Sequence, residues 1–381
     1  MKIVVLGAGL VGGPMALDLA EDERFDVTAA DVSEDALAKL RGKNPEIATV
    51  RQDLSKPAEV SALVAGFDMV INSVPGCLGY ATLKAVIEAG KDVVDIAFFA
   101  EDPFTLSELA EKKGVTAIVD CGVAPGMSNL LVGYADHQLD ETDSVLIYVG
   151  GLPEKRIWPF EYKAVFSPAD VIEEYTRPAR YVENGSLVVR PALTDPEIID
   201  FPHVGSLEAF NTDGLRTLAT TIDAPNKKEK TLRYIGHIEH MAVLREAGFF
   251  DKEEIEINGT RLRPLDFTSR LLFRSWKLEE GDADLTVMRI IVEGKKASKR
   301  IRYTYELFDR HDEVTGVHSM ARTTGYTATV VARMLAEGLF TQKGVIVPEF
   351  LGKKKACVDF VRSGLAERGI TYEETTEEVV A

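Results

Sequence analysis

The opening segment, MKIVVLGAGLVGGPMALDLA with TAAD at 28–31 behind it, constrains the fold more than any other part of the chain. Ile3, Val4, Val5 and Leu6 form an apolar run short enough for a buried parallel strand, and Gly7-x-Gly9-x-x-Gly12 follows at once. Met15, Ala16, Leu19 and Ala20 then recur at helical spacing. Gly7 permits a tight turn, Gly9 lets a backbone approach a pyrophosphate, and Gly12 lets the helix sit close to the strand with its free N–H groups facing the anion. The backbone of Gly7, Ala8, Gly9, Leu10, Val11 and Gly12 is therefore the expected dinucleotide cradle. Asp31, at the end of a second strand, is placed to accept hydrogen bonds from an adenosine ribose, which favours NAD. A 2′-phosphate would meet its negative charge, although Lys39, Arg41 or Lys43 are near enough in sequence to compensate, so NADP ranks second.

Strand-like and helical segments then alternate. Ile47–Val50, Asp68–Pro75, Lys91–Ile96 and Val115–Asp120 read as strands, with helices over Val60–Ala65, Tyr80–Ala89 and Pro103–Lys113 between them. This is the pattern of an α/β, doubly wound parallel sheet of Rossmann type over residues 1–125. Ligands of such sheets bind outside the carboxyl ends of the strands, which places Ser73, Val74, Pro75, Asp95, Asp120 and Cys121 around the nicotinamide end of the cofactor.

Beyond residue 126 longer β-rich stretches appear, among them Val145–Val149, Leu285–Glu293 and Ile301–Phe308. They predict a second, α+β substrate domain with a mixed sheet over 126–317, which also serves oligomerisation. Ala321–Gly338 returns to helical spacing, so a segment near 318–345 is expected to complete the first domain. Residues 346–381 are expected as a C-terminal segment, with Glu373–Ala381 as a frayed acidic tail.

The chain has 381 residues and a net charge of −17, which weighs against nucleic acid and anionic membranes as partners. Cys77, Cys121 and Cys357 are too few and too scattered for a disulfide framework or a zinc knuckle, which suits a reducing cytoplasm. The first residues already belong to a core strand, so no signal peptide is expected, and no apolar run is long enough to span a bilayer.

Seven motifs in order carry a resemblance. They are GAGLVG, DCGVAPGMSNLL at 120–131, YVGGLP at 148–153, AFNTDGLRTL at 209–218, TLRYIGHIEHMAVL at 231–244, EINGTRLRP at 256–264 and SMARTTGYT at 319–327. The chain resembles the saccharopine dehydrogenase family and, within it, the L-lysine 6-dehydrogenase branch. That resemblance implies an NAD(P)-dependent oxidoreductase of amino-acid metabolism, acting at the side-chain amine of a small-molecule amino acid, in a homodimer or homotetramer. The saccharopine-forming branch tends to carry an acidic residue where this chain has Ala124. Asp95-Ile-Ala-Phe-Phe99, in place of a more glycine-rich turn, implies a more apolar wall near the nicotinamide.

Oxidising a C–N bond requires a neutral amine when hydride leaves carbon, and hence a general base. The candidates are Asp95 and Asp120 at the strand ends and His237, Glu239 and His240 in the second domain. No metal is needed for this chemistry, and no HExxH or cysteine cluster is present. Arg216 and Arg322 are candidates to grip an α-carboxylate, with a structural salt bridge as the alternative for each, and Cys121 is a candidate substrate contact. Trp158 and Trp276 read as packing. Two other readings stand beside lysine 6-dehydrogenation. One is a saccharopine- or carboxynorspermidine-type reductase that joins an amine to a carbonyl compound. The other is a non-catalytic NAD-binding regulatory protein, since a Rossmann fold alone does not specify turnover.

Overall fold

A computed structural model describes residues 1–279 and 281–379. The chain divides into two compact units, Met1–Gln138 with Met320–Thr371, and Leu139–Ser319 with Tyr372–Ala381.

In the first unit, β1 (Lys2–Leu6), β2 (Asp26–Asp31), β3 (Ala48–Arg51), β4 (Met69–Asn72), β5 (Asp92–Asp95) and β6 (Thr116–Ile118) form a wholly parallel sheet with the strand Gly344–Ile346. The order is Gly344–Ile346, β6, β5, β4, β1, β2, β3. Ile3, Val4, Val5 and Leu6 are fully buried, as a central strand covered on both faces requires. The order reverses direction between β1 and β4, and that switch point is where such sheets bind dinucleotides.

The returning segment is larger than the sequence predicts. It adds the strand Gly344–Ile346 and the helices Pro348–Gly352 and Lys355–Glu367 to the first unit, so residues 346–371 are not a separate terminal piece. Helix Met127–Gln138, expected in the second domain, also lies in the first unit. It crosses Pro348–Gly352 backbone to backbone: a Cβ on Gly133 would lie 2.2 Å from the Glu349 carbonyl oxygen, and one on Gly352 2.3 Å from that of Leu130. Asp18 fastens the segment to the first helix, Gly12–Ala20. Its carboxylate accepts from Arg333 Nη1 at 2.7 Å, from Arg368 Nε at 2.6 Å and from the Thr329 hydroxyl at 2.5 Å. Removing one partner of so buried an ion pair costs about 3–5 kcal/mol.

The second unit is built on a nine-stranded mixed sheet. Its main path runs Glu197–Phe201, Gly205–Asn211, Asn226–Arg233, Glu141–Pro153, Asp284–Lys296, Lys299–Arg310 and Tyr372–Glu378. Asn226–Arg233 lies parallel to Glu141–Pro153, and the other pairings along the path are antiparallel. Helices Pro168–Thr176, His237–Glu246 and Pro264–Trp276 contribute to an aromatic core around Tyr175, Phe210, Met241 and Trp276. The expected frayed tail is, over Tyr372–Glu378, an edge strand on Lys299–Arg310. Its acids pair with that basic strand, Glu377 with Arg302 at 2.9 Å and Glu378 with Lys299 at 2.7 Å. Val380 and Ala381, also in that expected tail, lie outside the described residues. No helix among the described residues is long and apolar enough to cross a membrane.

Candidate functional site

The glycine turn in the first unit divides into positions that the fold requires and one that it does not. Gly7 has φ +98°, and a Cβ there would lie 2.8 Å from the Ser73 carbonyl oxygen. A Cβ on Gly12 would lie 2.0 Å from the Gly7 carbonyl oxygen and 2.5 Å from Ser73 Oγ. Gly9 is exposed, lies outside the left-handed region, and has nothing within 4 Å of where its Cβ would be. Among the described residues neither φ nor packing requires glycine at position 9, and its backbone lies open at the turn. Ala8 is buried beside it, while Leu10 is exposed and Val11 half-buried at the mouth of the helix.

Asp31 Oδ2 accepts from the Ala8 N–H at 2.7 Å and Oδ1 from the Ser33 N–H at 2.8 Å. The carboxylate is thus held rigidly at the end of β2, next to the cradle. Arg51, its register partner on β3, donates from Nε to the Val32 carbonyl at 3.3 Å. Ser73 spends its hydroxyl on the turn, donating to the Leu6 carbonyl at 2.9 Å. Val74 is buried, and Pro75 precedes the helix Gly76–Glu88.

At the carboxyl ends of β5 and β6 the structure brings together Asp95, Asp120 and Cys121. Asp95 is fully buried and accepts from Asn72 Nδ2 and from the Ala97 N–H, each at 2.6 Å. Asn72, which the sequence did not single out, is the brace that aims it. The Cys121 N–H donates to the Asp95 carbonyl at 2.9 Å. Burial, and then the charges of Asp95 and Asp120, push the Cys121 thiol up, so it stays protonated and is no nucleophile. Asp120 is buried with φ +52°, a backbone conformation uncommon outside glycine. Behind it the CGVAPG turn folds tightly on itself: Gly122 N–H donates to the Pro125 carbonyl at 3.0 Å, Met127 N–H to that of Gly122 at 2.8 Å, and the Ala124–Pro125 bond is cis.

Arg322 lies in the same unit, but its Nη2 donates to the Arg368 carbonyl at 2.8 Å. That contact joins Arg322 to the C-terminal end of the helix Lys355–Glu367.

The second unit holds a buried polar network. The Phe160 carbonyl only accepts, so His237 donates from Nδ1 at 2.8 Å, and its Nε2 accepts from the Tyr175 hydroxyl at 2.9 Å. Arg233 Nε donates to the Tyr175 oxygen at 3.3 Å, and its Nη2 pairs with Glu174. The Arg233 guanidinium also lies over the Tyr162 ring, 4.5 Å from its centroid. Burial first, and then the Arg233 charge, lower the His237 pKa from 6.5 to about 3. Both ring nitrogens of His237 are thus engaged, one by the Phe160 carbonyl and one by the Tyr175 hydroxyl. His240 and Glu239 are exposed, with His240 Nδ1 2.7 Å from the Gly236 carbonyl.

Glu229 also escaped the sequence reading. It is buried, accepts from the Thr212 hydroxyl at 2.6 Å and the Gly214 N–H at 3.1 Å, and is pushed up to about 8, chiefly by burial. A Cβ on Gly214 would lie 2.3 Å from its carboxyl oxygen, so that glycine makes room for it. The available signal was spacing: Glu229 and Arg233 lie four apart on one strand and so share a face that Thr231 also occupies. Arg216 follows in the same loop, largely buried and at φ +51°.

The His237 shift has a definite sign. The unfolded ring takes a proton below pH 6.5 and the folded ring does not until about 3, so this contribution to stability is complete above 6.5 and is lost as pH falls. The slope is about 1.4 kcal/mol per pH unit, or about 2 kcal/mol at pH 5. In urea titrations, the stability difference between the native chain and His237→Gln is expected to narrow by that amount from pH 7 to 5. A difference independent of pH would contradict it.

Comparison with known proteins agrees with this architecture. Residues 3–118 match the saccharopine dehydrogenase NADP binding domain, and residues 122–370 the saccharopine dehydrogenase C-terminal domain. A carboxyaminopropylagmatine dehydrogenase of Synechocystis sp. is 25% identical over 90% of this chain and 91% of its own length. A saccharopine dehydrogenase (NADP+, L-glutamate-forming) of Schizosaccharomyces pombe is 24% identical over 98% of each chain. The mitochondrial alpha-aminoadipic semialdehyde synthase of Mus musculus is 30% identical, but the match spans only 31% of that longer protein. Among solved structures, the apo saccharopine dehydrogenase (L-Glu forming) of Saccharomyces cerevisiae superposes with a TM-score of 0.79 at 20% identity over 99% of each chain. With matching models over both halves of its length, the chain belongs to the saccharopine dehydrogenase family.

Proposed function

We propose that this protein is a nicotinamide-dinucleotide-dependent oxidoreductase acting on the side-chain amine of an amino acid, with L-lysine 6-dehydrogenation as its leading reaction. The observation that supports the cofactor is the strand–glycine turn–helix at Gly7–Gly12, where Gly9 leaves open backbone that the fold does not require and Asp31 is held beside it. The nicotinamide, when bound, accepts the hydride that leaves the substrate carbon. Asp120 takes the proton from the substrate ammonium, and the freed lone pair closes the C=N bond as the C–H bond breaks. Water then adds to that carbon, and ammonia leaves. Asp95, held by Asn72 and Ala97, fixes the strand ends around Asp120. Ala124 supports a single amino-acid substrate, because it gives the CGVAPG turn no carboxylate for a second ammonium group.

A second reading has its own support. The relatives matched over nine-tenths or more of both chains are named for saccharopine and for carboxyaminopropylagmatine. A secondary-amine substrate would release an amine or amino acid in place of ammonia, so the nitrogen product separates the two readings.

NAD is the proposed cofactor, despite the NADP in the family model's description and in the name of the fission-yeast relative. The support is Asp31, whose carboxylate is pinned by two backbone N–H groups and cannot swing away from a 2′-phosphate. Asp31→Ser is expected to lower kcat/KM for NAD by about 10- to 100-fold and to raise it for NADP. Better turnover with NADP by the native chain would overturn the assignment.

A further inference from the structure

The start of strand Asp284–Lys296 and the turn after strand Lys299–Arg310 bring together three side chains that the proposed reaction does not use. Asp284, His311 and His318 each offer one donor atom, and the three donors lie within 4.8 Å of one another. We infer that they form a binding site for a divalent transition-metal ion of the Zn²⁺ class.

The backbone builds this cluster deliberately. Asp312 N–H donates to the Val317 carbonyl at 3.0 Å, an antiparallel bridge flanked on either side by His311 and His318. Inside the turn, Asp312 accepts from the Val314 N–H at 3.0 Å and the Thr315 hydroxyl at 2.8 Å, so the loop is set before any ligand arrives. The His311 N–H donates to the Asp284 carbonyl at 2.8 Å, which brings the third residue alongside. The two imidazole centroids are 5.0 Å apart.

Three features of these groups point to an ion. The Asp284 side chain is fully buried, so the cluster has a sheltered oxygen donor on its inner side. His311 Nδ1 is buried and makes no hydrogen bond among the described residues, a state that calls for a partner. His318 Nδ1 stands 3.3 Å from Asp284 Oδ1, longer than a strong charge-assisted hydrogen bond. Two donors bound to one tetrahedral ion at about 2.0–2.1 Å stand about 3.3–3.4 Å apart, which matches it. Two imidazoles with one carboxylate form the mixed N,O set that suits Zn²⁺, whereas Ca²⁺ and Mg²⁺ prefer oxygen alone. The Ser319 N–H donates to Asp284 Oδ1 at 2.7 Å and would orient the carboxylate from the outer shell. With three protein ligands, a fourth position is left for water.

The test uses the full chain without an affinity tag, stripped with a chelator and titrated calorimetrically with Zn²⁺, with Co²⁺ as a spectroscopic probe. One Zn²⁺ per chain is expected to bind, Co²⁺ to give the visible d–d bands of a tetrahedral site, and His318→Ala and His311→Gln each to weaken Zn²⁺ binding at least about 10-fold. Both histidines are only partly buried, and thermal melts of the metal-free variants check their folding. Absence of saturable binding in the native chain, or equal binding by both folded variants, overturns the site.

Discussion

Gly9→Ala is expected to fold with a melting temperature within about 2 °C of the native chain and yet to bind nicotinamide dinucleotide at least about 100-fold more weakly. The methyl group meets nothing within 4 Å among the described residues, so its cost falls on the ligand whose pyrophosphate must approach that backbone. Gly12→Ala should behave differently. Its Cβ would sit 2.0 Å from a carbonyl oxygen of Gly7, and backbone cannot yield as a flexible side chain does. Overpacking of this kind costs about 1–3 kcal/mol or more, so this variant should lose stability together with cofactor binding. Thermal melts and cofactor titrations on both proteins check the pair. Equal destabilisation by the two substitutions, or normal cofactor affinity in Gly9→Ala, would show that the turn is structural only.

Asp120→Asn should reduce kcat by about 100- to 1,000-fold while leaving cofactor affinity near native, the range expected when a general base is removed. Asparagine is the conservative test here, because it tolerates the left-handed backbone that Asp120 adopts at φ +52°. A folding defect is thereby separated from a chemical one. The matching control is His237→Gln, whose parent ring already has both nitrogens engaged. Its loss should alter the acid limb of stability more than kcat. If Asp120→Asn keeps more than a third of native kcat, the base lies elsewhere, and Asp95 and His240 are the next candidates.

The first unit was largely legible because its signals are local. A buried β1, a glycine turn and an acid at the end of β2 sit within one short stretch, and Gly7 and Gly12 have steric reasons within the fold. The strand Gly344–Ile346 was missed because three apolar residues carry no periodicity. It exists because the β6 edge would otherwise be left unpaired. The edge strand at Tyr372–Glu378 was missed for another reason. Beyond Tyr372 its residues are exposed on both faces, so no apolar alternation marks it. The partner's basic residues, Lys299 and Arg302, held the missing information.

The candidate site follows the same division. Asp31, Asp95, Asp120 and Cys121 are placed by strand order and could be named from it. The network of Glu174, Tyr175, Arg233 and His237 joins two segments well separated in sequence. Only packing brings them together, and burial with the neighbouring Arg233 charge is what lowers the His237 pKa. Arg322, a motif arginine, also makes a contact that only the fold reveals, from its Nη2 to the Arg368 carbonyl.

The most direct test is NADH formation followed by absorbance, with the purified full chain, NAD and L-lysine, and ammonia assayed in parallel. Lysine-dependent NADH with one ammonia per turnover is the expected result. NADH consumption only when an amino acid and an aldehyde or keto acid are supplied together would contradict lysine 6-dehydrogenation and select the condensing reaction. No lysine-dependent change in either direction, with NAD or NADP, would contradict the proposed reaction itself.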